Sequence, residues 1–224
     1  MRAVWTIFIL VLGPVAGAIG GRKLSGVPSG RLIYVSNALN LVVLSAITAA
    51  VDITHGGAAI GLLVSATDVR TLCIWSAAIA VVCIAVVALT LILRIVLRRS
   101  PKSSVLALLP HGAAEKLAFA LLCVFIAIVE DYIYRGFALS TLRDWLHSGM
   151  LAAGLVCLSF ALMHGLQDSI AIVAAFVQGA VLTVPVFLVS SLVPSIAGHF
   201  AVDLVAGLSL VAVLHRFRLV PKET

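Results

Sequence analysis

The sequence predicts an all-α fold, a polytopic membrane helix bundle of about seven spans. Three observations predict it. Hydrophobic residues make up 62% of the 224 positions, charged residues only 11%, and the mean hydropathy is +1.22; soluble domains carry about 25% charged and about 45–50% apolar residues. The apolar residues fall in runs of membrane-spanning length, about 17–25 residues for a hydrocarbon core of roughly 30 Å. Backbone polar groups in lipid must find partners within their own segment, so runs of that length are helices. A soluble helical protein with a greasy core is excluded, because too little charge remains to cover a water-facing surface.

The first run, Val4–Ile19, follows Arg2 and contains Ala16-Gly17-Ala18, the outline of a cleavable signal peptide. It is read as an uncleaved span flanked by Arg22 and Lys23, since multispanning proteins seldom need a cleaved signal. Leu32–Val51 is the second run. Gly56–Ser65 is too short to span and is expected to be a partly embedded connector. Leu72–Leu93, Leu117–Leu142 and Met150–Leu166 follow as the third, fourth and fifth. The sixth, Ile170–Val189, holds Pro185, which could split it into a broken or re-entrant helix, so the count ranges from six to eight. Ser195–Leu214 is the last. Without an internal repeat or a long linker, residues 1–224 are expected to form a single integral membrane domain. Its first part, 1–112, has no recognisable signature; 113–215 carries the polar motifs.

The net charge is +6 and the pI about 9.6. The basic residues gather at run ends: Arg22, Lys23 and Arg31; Arg98, Arg99 and Lys102; Arg216, Arg218 and Lys222. With seven spans all three clusters fall on one side, which the positive-inside rule makes cytoplasmic, with the N-terminus outside. Arg135 and Arg143 fit that arrangement less well. No basic patch interleaved with aromatics occurs, so nucleic acid is excluded as a partner; the lipid bilayer accounts for the charge. Cys73, Cys83, Cys123 and Cys157 form no C-x-x-C pair and read as small buried hydrophobes.

Of nine acidic residues, Asp52, Asp68, Glu115, Asp144, Asp168 and Glu223 lie at span ends or in loops, whereas Glu130, Asp131 and Asp203 lie within apolar runs. A charge at bilayer depth costs about 2.5–3.5 kcal/mol on insertion scales, so such residues face the protein interior or a wet cavity. His164 and His199 share that position, and with Arg135 these are the candidate functional residues. Spacing of four pairs Glu130 with Tyr134, Asp131 with Arg135, Phe160 with His164, and His199 with Asp203, each along one helical ridge. Asp131 with Arg135 reads as a neutralising ion pair. Asp203 can orient His199 and stabilise its protonated form. A carboxylate with a histidine is what general-base activation of water requires, and a second histidine can donate to a developing oxyanion. Glu130, His164, His199 and Asp203 could instead hold zinc, or fasten helices together as a buried polar network.

Three segments resemble a known family: E-D-Y-I-Y-R-G at Glu130–Gly136, F-A-L-M-H-G at Phe160–Gly165, and H-F-A-V-D at His199–Asp203. Their order and helix placement are similar to the motifs of the CAAX protease and bacteriocin-processing enzyme family. The resemblance implies an intramembrane endopeptidase acting on membrane-associated proteins or peptides, and a prokaryotic plasma membrane is the expected location. By motif, Glu130 would activate water together with His164, His199 and Asp203 would stabilise the oxyanion, and Arg135 would be structural. Members are often labelled metalloproteases, yet these residues also support a metal-free, glutamate-dependent mechanism, which is the favoured expectation. Asp131 stands where a second glutamate is usual, and Asp203 replaces the commoner asparagine. An ionised carboxylate cannot donate to an oxyanion, so Asp203 is either protonated or acts by holding His199 as imidazolium; an anion there also suits a metal.

Two rival classes remain at this level. A proton-coupled transporter would use the same residue types but is expected to show inverted repeats. A non-catalytic immunity, regulatory or peptide-binding protein could keep the whole motif set.

Overall fold

The computed structural model describes residues 1–23, 30–101, 103–106, 109–110, 112–164 and 168–217. Among them no strand occurs, and the chain is a bundle of α-helices: α1 (Arg2–Lys23), α2 (Gly30–Ile53), α3 (Ala58–Leu63), α4 (Val69–Val96), α5 (Ser103–Leu106), α6 (Ala113–Glu130), α7 (Leu139–Leu146), α8 (Gly149–Met163), α9 (Ser169–Leu188) and α10 (Val193–Arg216). Between α6 and α7 the chain stays helical but widens into a π segment, Asp131–Ala138. The side chains of Arg22, Lys23 and Arg31, and residues Lys102, Gly165, Leu166, Arg218, Lys222 and Glu223, lie outside the described residues.

Within the described residues each of the seven expected runs is helical. Five are long and apolar enough to cross a membrane: Tyr34–Ile53, Val69–Val96, Ala113–Leu146, Ser169–Leu188 and Val193–Leu210. Arg2–Val15 and Gly149–Met163 are apolar and shorter. Large hydrophobic side chains such as Val35, Leu39, Val81, Leu89 and Ile92 point outward, as lipid-facing surfaces do and as a water-facing surface of this extent does not. Cys73 is on that exposed surface, so the reading of all four cysteines as buried holds only for Cys83, Cys123 and Cys157.

Pro185 does not break the sixth run. It sits in the last turn of α9, where its carbonyl still accepts from Val189 N at 2.9 Å. The short connector forms α3, entered through Gly56 (φ 99°) and Gly57 (φ 66°), a left-handed pair that only glycine adopts cheaply. Asp52 secures this turn: its carboxylate accepts from Ala59 N and Ile60 N, and from Tyr132 Oη, in full burial.

The π segment is the centre of the molecule, with all eight residues buried. Ile133, Phe137 and Ala138 pack with Val156 and Phe160 of α8 and with Ala59 of α3 in one hydrophobic cluster. α1 lies against α8, where Ser159 Oγ donates to Leu10 O at 2.8 Å. α10 packs on α4, and a second small cluster of Ile79, Cys83 and Leu182 closes that side. Arg94, near the end of α4, forms a two-pronged pair with Asp168, at 2.7 and 3.0 Å, and so ties α4 to the start of α9.

Candidate active site

The first motif straddles a change of helix type. Glu130 is the last residue of α6 and Asp131 the first of the π segment. A π turn closes i→i+5 bonds and holds more residues than an α turn, so residues four and five apart share a face. Asp131 and Arg135 form an ion pair on that face, with 0% and 1% of their side chains exposed. The guanidinium also lies over the Phe160 ring, 4.6 Å from its centroid. Its charge is therefore met by a carboxylate at one edge and by an aromatic face. The motif glycine has a packing reason. A Cβ on Gly136 would stand 3.1 Å from Ala59 Cβ and 3.2 Å from Leu192 Cδ1, where α3 and the residue before α10 press in.

His199, in α10, stands among three carboxylates. Its Nε2 is 3.8 Å from Glu130 Oε2 and 3.7 Å from Asp203 Oδ2, and its Nδ1 is 3.5 Å from Asp131 Oδ2. These separations exceed the usual hydrogen-bond range of about 2.7–3.2 Å. Neither Asp131 Oδ2 nor His199 Nδ1 has a closer hydrogen-bond partner. Both ring nitrogens face acceptors, and only the doubly protonated ring donates from both.

His164 follows α8 as its C-terminal cap, with Nδ1 2.9 Å from Phe160 O. A carbonyl only accepts, so Nδ1 carries the hydrogen and Nε2 keeps a lone pair in the neutral ring. Phe160 gathers the site around one ring: Tyr134 edge-on at 5.6 Å, His199 edge-on at 5.8 Å and His164 tilted at 4.9 Å. Tyr134 directs its hydroxyl to Met163 Sδ at 3.3 Å. The spacing of four between Phe160 and His164 thus places a ring and an imidazole in contact, as helix geometry requires.

A cavity of about 190 Å³ opens between α4, α8, α9 and α10, with Phe160, His164, His199, Asp203, Arg94 and Gln178 among its lining. Glu130 is not one of the lining residues; it joins the group through His199 Nε2. The histidine within 4 Å of Glu130 is therefore His199; His164 lines the same cavity and packs against the same Phe160 ring. The resemblance pairs Glu130 with His164 around a water; spacing along separate helices carries no information about which histidine lies nearer.

Among the described residues no group of three or more His, Cys, Asp or Glu side chains is arranged to hold a metal ion. The nitrogens of His199 face carboxylates, and Nδ1 of His164 is turned to its own helix. Four polar residues of structural or functional weight were not singled out from the sequence: Asp52, the paired Arg94 and Asp168, and Gln178. The first three sit at run ends, where charge is ordinary; Gln178 is uncharged, so a search for acids and histidines passes over it.

The fold and the buried group of acids and histidines define an integral membrane protein with an enzyme-like polar centre. Residues 112–205 match the family model described as type II CAAX prenyl endopeptidase, Rce1-like, and over that segment the resemblance seen in the motifs is borne out. The match runs from α6 into α10 and takes in every residue around His199 named above. No curated protein and no solved structure matches the chain.

Proposed function

We propose that the protein is an intramembrane endopeptidase that hydrolyses peptide bonds of membrane-associated proteins or peptides by a metal-free, glutamate-dependent route. The observation that carries this reading is the approach of Glu130 and Asp203 to one nitrogen of His199, 3.8 and 3.7 Å away, beside a cavity shared with His164. Those gaps are too long for direct hydrogen bonds and short enough for one bridging oxygen. Glu130 takes a proton from water, and the water oxygen adds to the scissile carbonyl carbon. His164, with Nε2 unprotonated, accepts a second hydrogen bond from that water and orients it. The oxyanion is met by Nε2–H of His199, which Asp131 and Asp203 hold as a donor. Collapse breaks the C–N bond, and the proton carried by Glu130 passes to the leaving nitrogen. The products are a carboxylate and an amine. Arg135 neutralises Asp131 and stays clear of substrate, and Tyr134 packs the site. The setting is a prokaryotic plasma membrane.

Comparison of membrane peptidomes from cells carrying wild-type and Glu130→Gln protein tests the proposal. Glutamine keeps the size and removes the base, so cleavage of the true substrates falls about 10²-fold or more. Identical peptidomes at equal protein levels would sink the enzyme reading.

A further inference from the structure

The cavity carries a feature that the chemistry above does not use. Its α9 wall presents Ala171, Ala174, Ala175, Gln178 and Leu182 at helical spacing, three small side chains followed by an amide. The alanines leave the wall open, and Ala206 of α10 faces the same space. Gln178 is 8% exposed, and among the described residues its amide has no hydrogen-bond partner. Thr183, the other polar residue on α9 between Ile170 and Leu188, satisfies its hydroxyl on Gly179 O at 2.8 Å. Gln178 has no such local outlet. Gln178 lines the cavity, and an amide left unmatched when a ligand displaces water costs about 1–3 kcal/mol, so the site favours a ligand that can hydrogen-bond to it.

We infer that Gln178 binds the main chain of the peptide substrate. This rests on the peptidase reading and extends it to the substrate. A primary amide offers one acceptor and two donor hydrogens, the complement of a peptide C=O and N–H. It shares the cavity with His164 and His199, so a segment lying against α9 is held beside the reacting groups. The alanine wall leaves room for the chain to run along α9 toward Arg94. The substrate class that fits is an extended, uncoiled peptide segment, because a helical one has already spent its N–H and C=O groups internally.

The probe is a synthetic peptide spanning the most abundant cleavage site that wild-type protein produces and Glu130→Gln does not. The test variant is Gln178→Leu, similar in volume and at ease in lipid, with accumulation in membranes as the control for folding. Loss of one or two hydrogen bonds made equally in ground and transition states raises KM about tenfold and leaves kcat within about twofold. Replacing successive amides of the peptide by esters weakens binding to wild type at one position and leaves Gln178→Leu indifferent there. Equal KM for Gln178→Leu and wild type, or an ester series that affects both alike, would overturn the inference while leaving the peptidase reading intact. Absence of any site dependent on Glu130 overturns both.

Discussion

Asp131 Oδ2 faces His199 Nδ1 at 3.5 Å while its other oxygen is taken by Arg135. One short carboxylate thus ties the π segment to α10 and neutralises a guanidinium that has almost no contact with solvent. The two tasks explain why an acid follows Glu130 directly. In a helix, adjacent residues point about 100° apart, so Glu130 and Asp131 reach opposite nitrogens of the same ring.

Asp131→Asn removes both tasks at once. Asparagine leaves Arg135 buried without a counter-charge, and breaking a buried pair costs about 3–5 kcal/mol. The expected outcome is a lower melting temperature in detergent together with lost cleavage. Arg135→Ala should likewise lower the amount of folded protein. If Arg135→Ala accumulates and melts like wild type yet is inactive, Arg135 belongs to the chemistry.

The seat of His199 depends on the residue before it. A Cβ on Gly198 would stand 2.5 Å from Ile79 Cγ2 and 2.9 Å from Leu182 Cδ2. Gly198→Ala must therefore push α10 off α4, at about 1–3 kcal/mol, and carry the imidazole with it. Gly154 is the control, since nothing lies within 4 Å of its Cβ position. Gly154→Ala should be neutral or stabilising by up to about 1 kcal/mol. Thermal unfolding of the two variants checks the pair.

The Arg94–Asp168 clamp gives a pH signature. Burial raises the pKa of Asp168, but the Arg94 hydrogen bonds and the amide of Ala171 outweigh it, and the net shift is downward. A carboxylate depressed in the folded state contributes stability above its unfolded pKa of about 3.9, and that contribution is lost as pH falls through the folded value. Wild type should therefore melt above Asp168→Asn at neutral pH, and the gap should begin to narrow as the pH falls below about 4. A gap that does not narrow at all as the pH is lowered from about 5 to about 3 would show that the pair is not what Asp168 contributes.

Chelation separates a glutamate-dependent site from a metal-dependent one. Cleavage should survive exhaustive chelation, and purified protein should carry no stoichiometric zinc. One tightly held zinc per chain, whose removal abolishes cleavage and whose return restores it, would overturn the metal-free proposal.

The sequence alone determined the helices and the polar residues to watch. Apolar runs of spanning length admit no other backbone structure in lipid, and Glu130, Asp131, His164, His199 and Asp203 were conspicuous because charge and imidazole are expensive there. The Asp131–Arg135 pair was legible for the same reason, since a spacing of four survives in either helix type. The π geometry was not, because α and π turns differ by about one residue and the same apolar composition satisfies both. Only the tertiary structure decided that Glu130 and Asp203 meet at His199 Nε2, that Phe160 contacts both histidines, Tyr134 and Arg135, and that Asp52 and Arg94 are buried anchors. Those facts depend on how separate helices pack, and a periodic pattern records which face of a helix is apolar but not which neighbour it meets.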